Sequence, residues 1–293
     1  MRVSISITNY TWPSGTPQLA TELARVARAA DDAGVDTLWV TDHLVQADPT
    51  APPGDRDMLE AYTVLGYLAA QTGRVRLGAM VSPVTFREPA VLVKAVTTLD
   101  VLSGGRAWLG IGAGYHGNEA EAMGLPLPPT AERFDRLEET LQIAQRMWSG
   151  QASRFDGTHY RLADPSNAPA PVTNPRPPIL IGGTGEQRAL KLVAQYADAC
   201  NVFDIPDGGQ TIRRKLDVLA GHCADVGRPY EQVEKTLSTR LDPGESSGEF
   251  VQRARAAAVL GIEHLVVITS GAWPAEAFDT LAAAITELQE EAK

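Results

Sequence analysis

The sequence is poor in the residues that define several large classes of protein. Among its 293 residues are only two cysteines, Cys200 and Cys223. That is too few for a disulfide framework or a cysteine-based zinc site, and it fits a reducing compartment, so a cytoplasmic location is expected. HxH and HExxH spacings are missing, so no metal centre is expected. No apolar run approaches the ~18 residues that a membrane span needs. The opening Arg2-Val3-Ser4-Ile5-Ser6-Ile7 has no long apolar core, so no signal peptide is expected. Positive charge is in deficit, with 26 Lys and Arg against 36 Asp and Glu and a net charge of −10. Nothing therefore steers the chain to nucleic acid or to an anionic membrane. Ser14-Gly15 and Ser103-Gly104 have no strand-to-helix elbow around them, which leaves acyl transfer unsupported.

What the sequence does have is alternation. Hydrophobic residues make up 44%, ordinary for a globular core. Apolar runs predict strands over residues 3–8, 37–40, 75–81, 107–111, 179–181, 199–203, 233–238 and 264–269. Helical periodicity fills the gaps over 18–33, 60–72, 89–102, 132–148, 186–196, 209–226, 248–260 and 274–290. Gly34 is placed to end the first helix. The strands mostly lack a polar face, as parallel strands buried on both sides do. Eight β-then-α units at this length predict a single-domain (β/α)8 TIM barrel over residues 1–293. A Pro-rich segment, 150–178, interrupts the alternation before strand five. It is too long for a plain connector and reads as an ordered excursion with a small hairpin around Phe155-Asp156-Gly157.

In such barrels the chemistry sits on the loops that follow the strands. Four of those loops stand out. Strand two ends in Asp42-His43, an acid and an imidazole. Strand three leads to Met80-Val81-Ser82-Pro83. Strand four leads to Gly110-Ile111-Gly112-Ala113-Gly114-Tyr115-His116, whose alternating glycines let a ligand or another backbone come close. Strand five leads to Gly182-Gly183-Thr184-Gly185 at the predicted start of a helix, a natural anion site with Arg188 at hand. His116 is a second imidazole on the same face. His159, His222 and His264 read as structural, with His264 at the opposite end of the barrel. Arg133 reads as an ordering residue at a helix start. Trp12, Phe86, Tyr115 and Trp273 are candidates to wall a pocket. A nicotinamide Rossmann site is disfavoured, because no strand–GxGxxG–helix unit with a following acid is present.

These motifs resemble the bacterial luciferase-like superfamily, in its actinobacterial branch of deazaflavin (coenzyme F420)-dependent oxidoreductases. The carriers are Leu38-Trp39-Val40-Thr41-Asp42-His43, Leu77 through Arg87, Gly110 through Tyr115, Glu132-Arg133-Phe134-Asp135-Arg136-Leu137-Glu138-Glu139, Pro177 through Gly183, and Ala197-Asp198-Ala199-Cys200-Asn201. The resemblance spans nearly the whole chain. It implies a luciferase-like TIM barrel that binds F420, or alternatively FMN, at the strand C-terminal face. It also implies a non-prolyl cis peptide at Met80–Val81, bulging against the cofactor ring. Asp42 and Ser82 would contact the ring system, and Gly112, Ala113, Gly114 and Asn118 would line it. Gly182, Gly183, Thr184 and Gly185 would hold the side-chain phosphate. His43 matches the family histidine that acts near C5, and an imidazole suits general acid–base work near neutrality.

One departure is visible. The sugar-phosphate branch carries a general-acid glutamate directly after the glycine loop, where this chain has Tyr115. The short 240–247 connection also lacks the long lid of the light-producing luciferases. The expected function is hydride transfer between the deazaflavin and a small, hydrophobic organic substrate. The rivals are an FMN-dependent monooxygenase served by a separate flavin reductase, a flavin- or deazaflavin-binding protein without turnover, and a non-redox barrel. A homodimer is implied by the resemblance alone.

Overall fold

The computed structural model describes residues 1–151 and 153–291. Eight parallel strands form the barrel: β1 (Arg2–Ile7), β2 (Thr37–Val40), β3 (Arg76–Ala79), β4 (Ala107–Gly112), β5 (Ile179–Ile181), β6 (Ala199–Phe203), β7 (Glu234–Arg240) and β8 (His264–Ile268). Around the ring they run β3-β2-β1-β8-β7-β6-β5-β4. Leu77 paired with Ala107 and Gly78 with Trp108 join β3 to β4 and close it. Helices α1 (Leu19–Asp32), α2 (Ala61–Ala69) and α3 (Pro89–Ser103) follow the first three strands. After β4 come a short α4 (Gly117–Met123) and a long α5 (Thr130–Trp148). The outer layer is completed by α6 (Ala189–Tyr196), α7 (Gln210–Asp225), α8 (Ser247–Val259) and α9 (Ala275–Glu290). The TIM-barrel expectation holds. No described helix is long and apolar enough to cross a membrane.

The local reasons are legible. On α1, Leu19, Leu23, Val26, Ala27 and Ala30 form one buried stripe, and Gly34 beyond its end adopts φ +77°, the left-handed conformation that stops a helix. On α2, Leu65 and Leu68 are wholly buried, each stabilising the packed state by roughly 1.5–3 kcal/mol. Glu60 caps that helix, accepting from the Thr63 amide at 2.7 Å. Inside the barrel, Trp39, Trp108, Leu180, Ala199 and Val266 form a core of their own. Gly78 sits between the two indoles, where a Cβ would fall 2.6 Å from the Trp39 ring.

Several boundaries depart from the sequence reading; the second helix, for one, ends at Ala69 rather than at residue 72. The third strand stops at Ala79 rather than Val81, and the Met80–Val81 peptide just beyond it is cis. Pairing resumes for two residues, Ser82 against Ile111 and Pro83 against Gly112. The sixth helix starts at Ala189 rather than at Glu186. The Glu186 carbonyl accepts from His222 Nε2 at 2.8 Å, while the Leu190 amide goes to the Gly185 carbonyl at 3.1 Å. The helical ladder therefore cannot begin at Glu186. The fifth helix also begins earlier than expected, at Thr130.

Residues 153–178 of the excursion before β5 pack against the barrel's outside. Phe155–Asp156 pairs antiparallel with Arg161–Leu162, so the expected hairpin is present. The Glu139 carboxylate accepts from the amides of Thr158, His159 and Tyr160 at the hairpin's tip, the first at 2.6 Å. Farther along, buried Asp100 of α3 accepts from the Val172 and Thr173 amides at 2.7 and 2.8 Å.

At the N-terminal face, His264 is fully enclosed. Its Nδ1 lies 2.7 Å from Glu234 Oε1 and its Nε2 2.5 Å from Ser4 Oγ. Ser4 Oγ in turn accepts from the Thr37 amide at 3.0 Å. With the ring neutral, the serine proton therefore points to Nε2, and the Nδ1 proton goes to the glutamate. As expected, this histidine is structural.

Candidate active site

At the other end of the barrel, the loops after the strands enclose a cleft of about 1080 Å³. A second groove of about 1160 Å³, between α2, α3 and the excursion, is more open and lies outside the ring. Ligand sites in barrels belong to the C-terminal face, and the candidate groups converge there.

The floor is built by the turn after β3. Met80, Val81 and Pro83 face the cleft. The Val81 side chain packs where β4 and β5 carry glycines. A Cβ on Gly182 would lie 2.6 Å from Val81 Cγ2, and one on Gly112 3.0 Å from it. On Gly110 it would lie 1.9 Å from the Ala79 carbonyl oxygen. These glycines are thus explained by the approach of the β3 backbone and Val81, before any ligand is considered.

Asp42 and His43 point to different places. Asp42 is buried beneath the cleft wall and accepts from both Arg87 Nη1 and Nη2, at 2.5 and 3.1 Å, and from Ser82 Oγ at 2.6 Å. Arg87 also pairs with Glu60 and lies 4.9 Å above the Tyr62 ring, whose hydroxyl is 3.2 Å from Ser82 Oγ. Burial and then the neighbouring Asp42 carboxylate push the Tyr62 phenol well above its usual range. The side chains of Asp42 and Ser82 therefore saturate one another and Arg87 rather than joining the wall, a bidentate pairing that suits a buried carboxylate.

His43 stands on the wall itself. Its Nδ1 lies 2.7 Å from Glu119 Oε2. The other oxygen of Glu119 accepts from the amides of Leu44 and Val45, at 2.5 and 3.3 Å. Glu119 is 1% exposed. Nothing local in the sequence singled it out: it is one acid in the first turn of a short helix, 76 positions from its histidine. Its backbone N–H donates to His116 Nδ1 at 3.1 Å, which makes His116 the cap of α4. The rings of His43, Tyr115 and His116 meet edge to face, with centroids 5.8 to 5.9 Å apart.

Of the other expected site residues, Gly112, Ala113, Gly114, Gly182, Gly183 and Gly185 are on the wall. Gly183 adopts φ +99°, which a residue with a side chain rarely holds. Thr184 and the exposed Asn118 are off the wall. Arg188 turns away to α5, reaching the Ala131 carbonyl at 2.8 Å and Asp135 at 2.5 Å. Phe86 and Tyr115 wall the cleft, whereas Trp12 and Trp273 are core, with indole N–H groups given to the carbonyls of Asn9 and Ser6. Arg133, read as an ordering residue, lies on the wall.

Two buried polar atoms on that wall have no hydrogen-bond partner among the described residues, Thr85 Oγ1 and Arg133 Nε. Buried donors are almost always satisfied, so these two fit a polar, anionic ligand laid against an apolar floor. At the far end, the cationic groups are already paired: Arg240 with Asp48 at 3.2 Å and Arg253 with Glu245 at 2.7 Å. No cluster of metal-ligating side chains occurs among the described residues.

The luciferase-like monooxygenase family matches residues 1–289. An F420-dependent glucose-6-phosphate dehydrogenase from Nakamurella multipartita is 35% identical over 250 residues, 83% of this chain and 69% of that protein. One of the same name from Kineococcus radiotolerans is 31% identical over 254 residues, 82% of this chain and 69% of that protein. Other dehydrogenases of this name are matched over as little as 63% of their length. Among solved structures, an F420-dependent secondary alcohol dehydrogenase in complex with an F420–acetone adduct superposes with a TM-score of 0.81 at 16% identity, over 97% of this chain and 98% of that one. The monooxygenase RslO1 from Streptomyces bottropensis gives 0.75 at 20% identity, over 98% of this chain and 97% of that one. These two structural likenesses concern the fold. With a cleft on the strand C-terminal face and a family match along almost its entire length, the chain belongs to the luciferase-like monooxygenase family.

Proposed function

We propose that the protein is an F420-dependent oxidoreductase that moves a hydride between the deazaflavin and a small, apolar organic substrate. The observation that carries the reading is His43, which stands on the cleft wall with Nδ1 already taken and Nε2 left for the cleft. When bound, the deazaflavin supplies a two-electron hydride acceptor or donor at C5. Met80 and Val81 would support its ring, the backbone amides of Gly183 and Gly185 would hold its phosphate, and Thr85 and Arg133 would meet its polar groups. His43 Nε2 would take the hydroxyl proton as an alcohol becomes a carbonyl, and would return it in the opposite direction.

An apolar substrate is favoured by the rim. Tyr115 and Phe203, both on the wall, are 71% and 55% exposed. The pairing of Arg240 and Arg253 with carboxylates leaves little free positive charge at the far end for a phosphorylated sugar.

The test is to titrate apo-protein separately with F420 and with FMN. Binding of F420 below about 100 μM, roughly −5.5 kcal/mol, is expected. FMN binding without F420 binding would transfer the assignment to an FMN-dependent monooxygenase. Binding of neither would leave a non-redox barrel.

A further inference from the structure

We infer that Glu119 is the positioning residue of His43: its carboxylate selects the Nδ1–H form of the imidazole and so turns a proton-accepting Nε2 toward the cleft. What Nε2 then acts on rests on the oxidoreductase reading above; the choice of tautomer does not.

The argument starts from donors and acceptors. An ionised carboxylate only accepts. With Oε2 at 2.7 Å from Nδ1, that nitrogen must carry the proton, and in a neutral ring Nε2 is then bare. A buried carboxylate is costly unless its lone pairs are met. Here the Leu44 and Val45 amides and His43 Nδ1 supply three donors. The group that fixes the ring therefore also fixes the two residues after it. Carboxylates behind histidines hold tautomer and orientation in this way in metal sites and hydrolase triads.

The neighbouring imidazole makes the opposite choice. His116 Nδ1 accepts the Glu119 backbone N–H at 3.1 Å, so a neutral His116 carries its proton on Nε2. Its basic nitrogen is spent on capping α4. Tyr115, edge-on to both rings, brings a phenol, which keeps its proton near neutrality. Of the three groups in the cluster, His43 alone keeps an open basic nitrogen on the cleft side.

A glutamate that merely stapled α4 to the loop after β2 would be replaceable by glutamine. Glu119→Gln keeps size and shape and can still accept from the Leu44 amide. Its amide group then faces Nδ1, which must become the acceptor, and the proton moves to Nε2. The test is ¹⁵N NMR of histidine-labelled protein without cofactor, at a pH where the ring is neutral. Wild type is expected to show His43 with Nδ1 protonated and Nε2 bare, and E119Q the reverse. Carbethoxylation of His43 by diethylpyrocarbonate, followed by mass spectrometry, is expected to be severalfold slower in E119Q. A wild-type His43 protonated on Nε2 would overturn the inference, as would the same tautomer and the same carbethoxylation rate in both proteins. If E119Q does not fold, the wild-type spectrum decides alone. Failure of F420 to bind would remove the proposed reaction and leave the tautomer result standing.

Discussion

The two ends of the barrel each hold a histidine with a carboxylate 2.7 Å from Nδ1: His264 with Glu234 at the N-terminal face, and His43 with Glu119 at the C-terminal face. The pairs are alike in chemistry and differ in what meets the other nitrogen. Ser4 fills Nε2 of His264, whose side chain is 1% exposed. His43 is 16% exposed and lies on the cleft wall. A carboxylate–imidazole pair is therefore no sign of catalysis by itself, because a fully satisfied one is a structural tie. The open nitrogen separates the two roles.

The largest expected effect is at the open end. His43→Ala should lower turnover by about 10²- to 10⁴-fold while leaving F420 affinity unchanged; turnover equal to wild type would erase the difference between the two histidines. At the closed end, His264→Ala should leave turnover per folded molecule intact and cost about 2–4 kcal/mol in urea denaturation, because Ser4 and Glu234 lose a buried partner. A loss of activity without a loss of stability there would invert the comparison. Gly183→Asp adds charge and a side chain at the proposed phosphate site, and about a tenfold loss of F420 affinity is expected by calorimetry. The corresponding change at the N-terminal face, Ser4→Ala, should cost only about 1 kcal/mol and no affinity.

The smallest effect is in acid. Burial pushes the Glu234 carboxyl up, but the hydrogen bond and charge of His264 and the charge of Arg2 outweigh it and hold the group below its ordinary 4.5. A depressed carboxylate contributes stability above the unfolded-state value and loses it as pH falls through the folded one. The stability gap between wild type and H264A should therefore be full above about pH 4.5 and narrow below it, which denaturation curves at pH 6 and pH 3.5 would show.

Much of the fold was legible because its signals are local. Apolar runs buried on both faces mark parallel strands, and the stripe on α1 with Gly34 after it marks a helix and its end. The cleft was legible only in part. The glycine spacing in β4 and β5 announced a close approach, but of a ligand or of a backbone was undecidable until Val81 was seen against it. Asp42 next to His43 looked like half of a site. Its partner Arg87 lies 45 positions away, and only closure of the ring brings the two together. Glu119 was illegible for the same reason. A first-turn acid on a short helix is unremarkable until the fold sets it behind an imidazole.

The three glycines under Val81 have a practical consequence for redesign. The height of the cleft floor is governed by missing atoms at Gly110, Gly112 and Gly182, only two of which touch the cleft. A library that varies the visible wall alone would miss Gly110, which sets the approach of the β3 backbone from behind. Gly182→Ala would push Val81 up into the space above it, making a shallower vessel from a residue whose own new methyl group no substrate needs to meet.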